Sequence, residues 1–200
     1  MTGTPLRQSY REHVRRRSLE VARALAIAKG WDKVRVSEVA ELVGTSRPSI
    51  YKEFGDKQGL GDAMVVEEAQ RFLVGIQAVL DDHVDSAREG IAAAVRFALE
   101  EAAASPLLAA VLTAPRAGEP PRGGTGILPL LTTSASMLAL ASDRLVAYFG
   151  SHFPELDARD VVEGVDALIR LTVSHLVLPV GDAAESGRRI SEVAIRYIRA

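Results

Sequence analysis

Cysteine is absent from the 200 residues, which excludes disulfides and thiolate-held metals and leaves nothing that implies an oxidising compartment. Aromatics are scarce, 5% of the chain against 48% hydrophobic residues, so the apolar mass lies in Ala, Leu and Val, a balance that favours helix over sheet. The parts of an enzyme are missing too. The four histidines, His13, His83, His152 and His175, are scattered, no HExxH or GxSxG occurs, and no Gly-rich phosphate loop follows a strand. No catalytic residue, cofactor or metal is therefore expected. The nearest thing to a metal motif is DDHVD, where Asp81 and Asp85 share a helix face beside His83. It lacks a convergent further ligand and reads as solvated charge at a helix end.

Membrane signals are also wanting. The start, MTGTPLRQSYREHVRRR, is charged and has no apolar core, so no signal peptide is expected and the reading is cytoplasmic. An uncharged stretch at 123–142 matches a membrane span in length, roughly 20 residues. It opens with GGTG, is interrupted by Pro129 and carries Thr132, Thr133, Ser134 and Ser136, so a buried helix is expected and no membrane.

What is present is a charge asymmetry. Residues 1–60 hold 12 Lys+Arg against 7 Asp+Glu, while 61–200 hold 12 against 19. A basic N-terminal module on an acidic body suits a protein that sets one end against phosphates, where neutralisation releases counterions.

Within that basic third, VSEVAELVGTSRPSIYKEFGDKQGL (36–60) reads as two short helices and the start of a third. Val36, Val39, Ala40 and Val43 recur at three- and four-residue steps, one apolar helix face, and Gly44 supplies the left-handed turn that stops it. Ser46 then caps a helix opening at Arg47, with Pro48 tolerated in the first turn. Ile50 and Phe54 face inward. Arg47, Pro48, Ser49, Tyr51 and Lys52 are left outside or at the leading end, where a recognition helix meets base edges. Asp56 caps the helix beginning at Lys57.

These residues resemble the DNA-binding signature of the TetR family of bacterial transcriptional regulators. The matching positions are Val39-Ala40, Gly44, Ser46, Ile50-Tyr51, Phe54, Lys57 and Leu60, and the resemblance covers roughly the first third of the chain. Two departures are visible. Thr45 stands where the family has an apolar turn residue, and Arg35 where Ser or Thr caps the first helix of the pair. The resemblance implies double-stranded DNA as partner, contacted by Arg35, Thr45, Ser46, Arg47, Pro48, Ser49, Tyr51, Lys52 and Lys57. It further implies a palindromic operator, a homodimer, repression, and release by a small effector.

The domains expected are a helix-turn-helix at 1–56 and a helical effector-binding and dimerisation domain at 57–200, all-α, with about nine helices. A first helix is predicted over 9–29, its stripe Val14, Val21, Leu25 and Ala28, with Arg7, Arg11, Arg15, Arg16 and Arg17 as a basic arm for phosphates or a minor groove. Trp31 caps the small core. Further helices are predicted over 57–80, over 86–104 with Ser86 as cap, briefly within SPLLAAVLTAP, from the uncharged stretch to Phe149, over 158–177 and over 184–199. APRAGEPPRGGTG between them reads as a loop.

The last two helices carry two apolar stripes each, and a helix apolar on more than one face needs more than one partner. Val165, Leu168, Thr172, Leu176, Val193, Ile195, Tyr197 and Ile198 are therefore expected in a two-fold dimer seam. Effector contacts are expected from Phe72, Ile76, Phe97, Leu108, Leu112, Ser134, Met137, Leu138 and Tyr148, with His175 facing a pocket or the seam; each fits ordinary core as well. The mixture of bulky apolar residues with Ser and Thr suits a hydrophobic effector with a small polar handle. The alternatives are a metal- or ligand-responsive activator and, less in keeping with the sequence, a small helical hydrolase.

Overall fold

The computed structural model describes residues 4–108 and 134–198, with side chains placed for 8–108 and 138–198. Every regular element among these residues is helical: α1 (Thr4–Lys29), a 3-10 turn (Trp31–Lys33), α2 (Val36–Val43), α3 (Arg47–Phe54), α4 (Lys57–Asp81), α5 (Ala87–Ala104), α6 (Ser134–His152), α7 (Ala158–Val177) and α8 (Ala183–Ile198). A further helical turn at 106–108, where the Leu108 N–H donates to Ser105 Oγ at 3.2 Å, meets the edge of the described residues. Leu112, the rest of SPLLAAVLTAP and the Pro/Gly-rich stretch lie outside them, as do the side chains of Ser134 and Met137. No helix among the described residues is long and apolar enough to cross a membrane.

Two compact units divide the chain, and among the described residues the first ends at Glu68 and the second begins at Ala69. The boundary falls inside α4 rather than before Lys57. Leu60, Met64 and Val65 of that helix are buried, and Glu68 takes two hydrogen bonds from Arg23 of α1 at 2.6 and 2.9 Å, which ties the first turns of α4 to the N-terminal helices.

The first unit is a small three-helix arrangement with α1 against α2, α3 and the 3-10 turn. Its buried residues include Val14, Leu19, Ala22 and Ala26 from α1, with Trp31, Val34, Val39, Ile50 and Phe54. The inward face of α1 is thus rotated from the predicted stripe: Ala28 is exposed while Ser18 is fully buried. Ser18 can sit inside because its hydroxyl donates to the Val14 carbonyl at 2.7 Å, which removes the cost of a buried polar group.

In the second unit α8 lies between α5 and α7, and α7 also meets α5 and α6. Ser86 and Asp157 cap α5 and α7, their side chains accepting from Glu89 N–H and from Arg159 and Asp160 N–H. The core joins Leu80, Ile91, Val95, Phe149, Val161, Val165, Leu168, Ile190, Ile195 and Ile198. Close approach of α8 to α5 depends on Gly187, where an added Cβ would fall 2.4 Å from the Ala92 carbonyl oxygen.

Candidate nucleic-acid interface and body cavity

The turn between α2 and α3 is built by its backbone. Gly44 adopts φ 74°, ψ 35°, and the Gly44 and Thr45 N–H groups donate to Glu41 and Ala40 carbonyls at 3.1 and 2.9 Å, the paired bonds of a Schellman cap. Only the N–H of Thr45 is needed there, so its departure from an apolar residue leaves the turn intact. Ser46, extended at φ −90°, ψ 150°, accepts from Ser49 N–H and closes a 2.9 Å hydroxyl contact with Ser49 Oγ, while Pro48 occupies the first turn. Ile50 and Phe54 are buried; Arg47, Pro48, Tyr51 and Lys52 are exposed and Thr45 and Ser49 half-buried. Seven of the nine expected DNA contacts, Thr45 to Ser49 with Tyr51 and Lys52, thus cluster at the turn and along the outer side of α3. Arg35 sits apart at the head of α2, exposed and making no side-chain cap, on a polar groove shared with Lys29, Lys33 and Glu38.

The basic arm expected from α1 is differently engaged. Arg11 and Arg15 both reach Glu53 of α3, at 2.6 and 3.1 Å, and Arg15 also stacks 5.2 Å from the Phe54 ring centre. Arg16 and Arg17 pair with Glu20 of their own helix. Burial pushes the Glu53 carboxyl up, but the hydrogen bonds and charges of Arg11 and Arg15 outweigh it and hold it below the ordinary carboxylate range. No short-range pattern marked Glu53, because its partners lie 42 and 38 residues away. Lys57 donates to the Asp32 carbonyl at 3.1 Å and stands 5.3 Å from the Trp31 ring centre, so it also fixes the 3-10 turn against the start of α4.

In the second unit, α4, α5, α6 and α7 line a partly open cavity of about 90 Å³. Its described wall is apolar, from Phe72, Leu73, Ile76 and Leu80 through Ile91, Val95 and Ala98 to Leu138, Ala141, Leu145, Phe149, Leu168, Ile169, Val173 and Leu176, broken among the described residues only by Gln77, Arg144 and Thr172. The Thr172 hydroxyl donates to the Leu168 carbonyl at 2.8 Å and the Gln77 amide to Asp81 at 2.8 Å. The first, basic unit thus presents a capped, exposed helix, and the second unit holds an apolar cavity.

The family models agree with that geometry. Residues 86–196 match the model for the bacterial tetracyclin repressor C-terminal domain, and residues 19–64 the model for bacterial regulatory proteins of the tetR family. The chain belongs to the TetR family of bacterial transcriptional regulators. Among its relatives, the HTH-type transcriptional regulator AlkX of Mycobacterium tuberculosis is 30% identical over 198 residues, 96% of this chain and 90% of that one. The crystal structure of the TetR family repressor AlkX from a Dietzia species, implicated in biodegradation of n-alkanes, superposes with TM-score 0.68 at 21% identity, covering 91% of this chain and 96% of the other. Bacillus subtilis FadR in complex with stearoyl-CoA gives TM-score 0.59 at 15% identity, over 91% and 98%.

The body of this TetR chain rearranges several expected roles. Phe72, Ile76 and Leu138 line the cavity. Phe97 does not; its ring stacks on Phe72 at 6.1 Å. Leu108 is buried away from the lining, and Tyr148 is a strut, buried, with its hydroxyl donating to the Leu80 carbonyl at 2.7 Å. Burial first, then the charge of Asp81, raises its pKa. His175 Nδ1 lies 2.9 Å from the Leu171 carbonyl, a bond within its own helix, and is outside the lining. Of the expected seam, Val165, Leu168, Ile195 and Ile198 are inside the core of a single chain, between 0% and 6% exposed. Thr172 and Leu176 line the cavity, and Val193 and Tyr197 remain outside, at 52% and 45% exposure, joined by Val162 at 49%. Residues the sequence reading did not select, Gln77, Ile169 and Arg144 among them, complete the cavity wall.

Proposed function

We propose that this regulator is a homodimeric repressor that binds a palindromic operator through α3 and is released when a small, mainly hydrocarbon effector enters the cavity of the second unit. The observation that carries the reading is the cavity: an almost wholly apolar space in the interior of a unit distinct from the one that presents Arg47, Tyr51 and Lys52. At about 90 Å³ it is well below the roughly 300 Å³ or more of an ordinary ligand pocket. An effector must therefore push its walls apart. One wall is α4, the helix whose first turns are buried in the DNA-binding unit, so a displaced α4 is the simplest carrier of the signal.

Relatives named for n-alkane biodegradation and for a stearoyl-CoA complex support a hydrocarbon effector. Dimerisation is supported by the exposed Val162, Val193 and Tyr197 on α7 and α8, an apolar face that a partner copy would cover. Selection of bound duplexes from a random pool tests the DNA half of this reading, and an inverted repeat should emerge. Addition of medium-chain hydrocarbons and their oxidised derivatives to that complex tests the other half, and release is expected. A pool that enriches no repeat, or a complex indifferent to every such compound, would contradict it.

A further inference from the structure

Among the described residues the cavity wall holds one charged side chain. Arg144 of α6 is exposed at its rim, and the position follows from helical spacing: Leu138, Ala141, Leu145 and Phe149 point the apolar face of α6 into the cavity, and Arg144 flanks that face. Among the described residues Arg144 has no ion pair and no hydrogen bond, while most other arginines of the chain are paired. No acidic side chain among the described residues lines the cavity. The other two polar groups already donate elsewhere: Thr172 to Leu168 and Gln77 to Asp81. The described wall therefore offers a ligand one uncompensated positive charge at the mouth and hydrocarbon over most of the rest.

Resting on the effector reading above, we propose that the cavity selects an amphiphilic anion, a hydrocarbon chain bearing a single carboxylate, with the carboxylate paired to Arg144 and the chain directed between α4, α5 and α7. A guanidinium presents a planar fork of donors that matches a carboxylate with two parallel bonds, an arrangement that a neutral alkane or alcohol cannot reproduce. Placed at the rim, the charge stays partly hydrated until the ligand arrives. Discrimination thus comes from the head group, and the chain supplies the apolar contact.

Decanoate and 1-decanol, equal in chain length and different in charge at neutral pH, are the probes. Their affinities for the full chain are measured by titration calorimetry, for the parent and for Arg144→Gln and Arg144→Lys. The parent should bind decanoate about 10- to 100-fold more tightly than 1-decanol, the range expected for one charge-assisted pair. Arg144→Gln should lose that factor for decanoate and leave 1-decanol unchanged, and Arg144→Lys should recover part of it. An exposed position makes both variants compatible with folding, which thermal melts check. Equal binding of the two probes by the parent, or an Arg144→Gln change that weakens both alike, overturns the proposal while leaving the effector reading standing. Binding of neither probe overturns both.

Discussion

Arg47 is the residue on which readout turns. Ser46 and Pro48 fix the first turn of α3, and Arg47 projects from it into solvent, free of the ion pairs that occupy Arg11, Arg15 and Arg17. Arginine matches the two acceptors of guanine, so Arg47→Ala should remove about 1–3 kcal/mol of discrimination at one operator position, seen as a relaxed base in duplex selection. Glu53 acts differently, by holding α1 to α3. Because its carboxyl is depressed in the folded state, its stabilising contribution is complete above the unfolded carboxylate pKa, about 4.3, and is lost as pH falls through the lower folded value. Glu53→Gln should therefore melt below the parent by a constant interval from pH 7 to about pH 5, and the interval should shrink below about pH 4. Arg11 and Arg15 are largely exposed, so the interval will be small. An interval that is unchanged in acid would remove the ion pairs from the explanation.

At the scale of elements, local chemistry was readable and partnership was not. Gly44, Ser46, Asp56 and Ser86 place helix ends correctly because a cap is decided by its own few residues: Asp56, for instance, accepts from the Gly59 N–H at 2.7 Å. Periodicity revealed two apolar stripes on α7 and on α8, yet a stripe does not say what covers it. In the structure the stripe containing Val165, Leu168, Ile195 and Ile198 is covered from within the chain, since Gly187 lets α8 close upon α5. The Arg23–Glu68 and Arg11–Glu53 pairs were likewise hidden by separations of 45 and 42 residues. Gly187→Ala puts a methyl group where only 2.4 Å separates it from the Ala92 carbonyl, a backbone atom that cannot swing aside. A loss of about 1–3 kcal/mol is expected from this overpacking, measured as a lowered denaturation midpoint with the second unit affected.

For the whole molecule, burial separates folding from assembly. Leu168→Glu places an unpaired carboxylate in the core and should unfold the chain, whereas Val193→Glu adds charge to a side chain already half exposed and should leave the fold intact. If α7 and α8 form the dimer face, Val193→Glu should sediment as a folded monomer with weakened operator binding. A dimer of unchanged strength would move the interface elsewhere. The coupling between effector and operator is expected to be about 1–3 kcal/mol and must be reciprocal.

Ala141→Trp, in the cavity wall of the second unit, isolates that coupling. The decisive measurement is operator affinity by fluorescence anisotropy, for the parent and for Ala141→Trp, with and without a saturating medium-chain effector. The parent should lose affinity about 5- to 150-fold when effector is added, and folded Ala141→Trp should bind the operator as the parent does and lose nothing. Equal release of both proteins by the effector would show that the cavity is not the sensor.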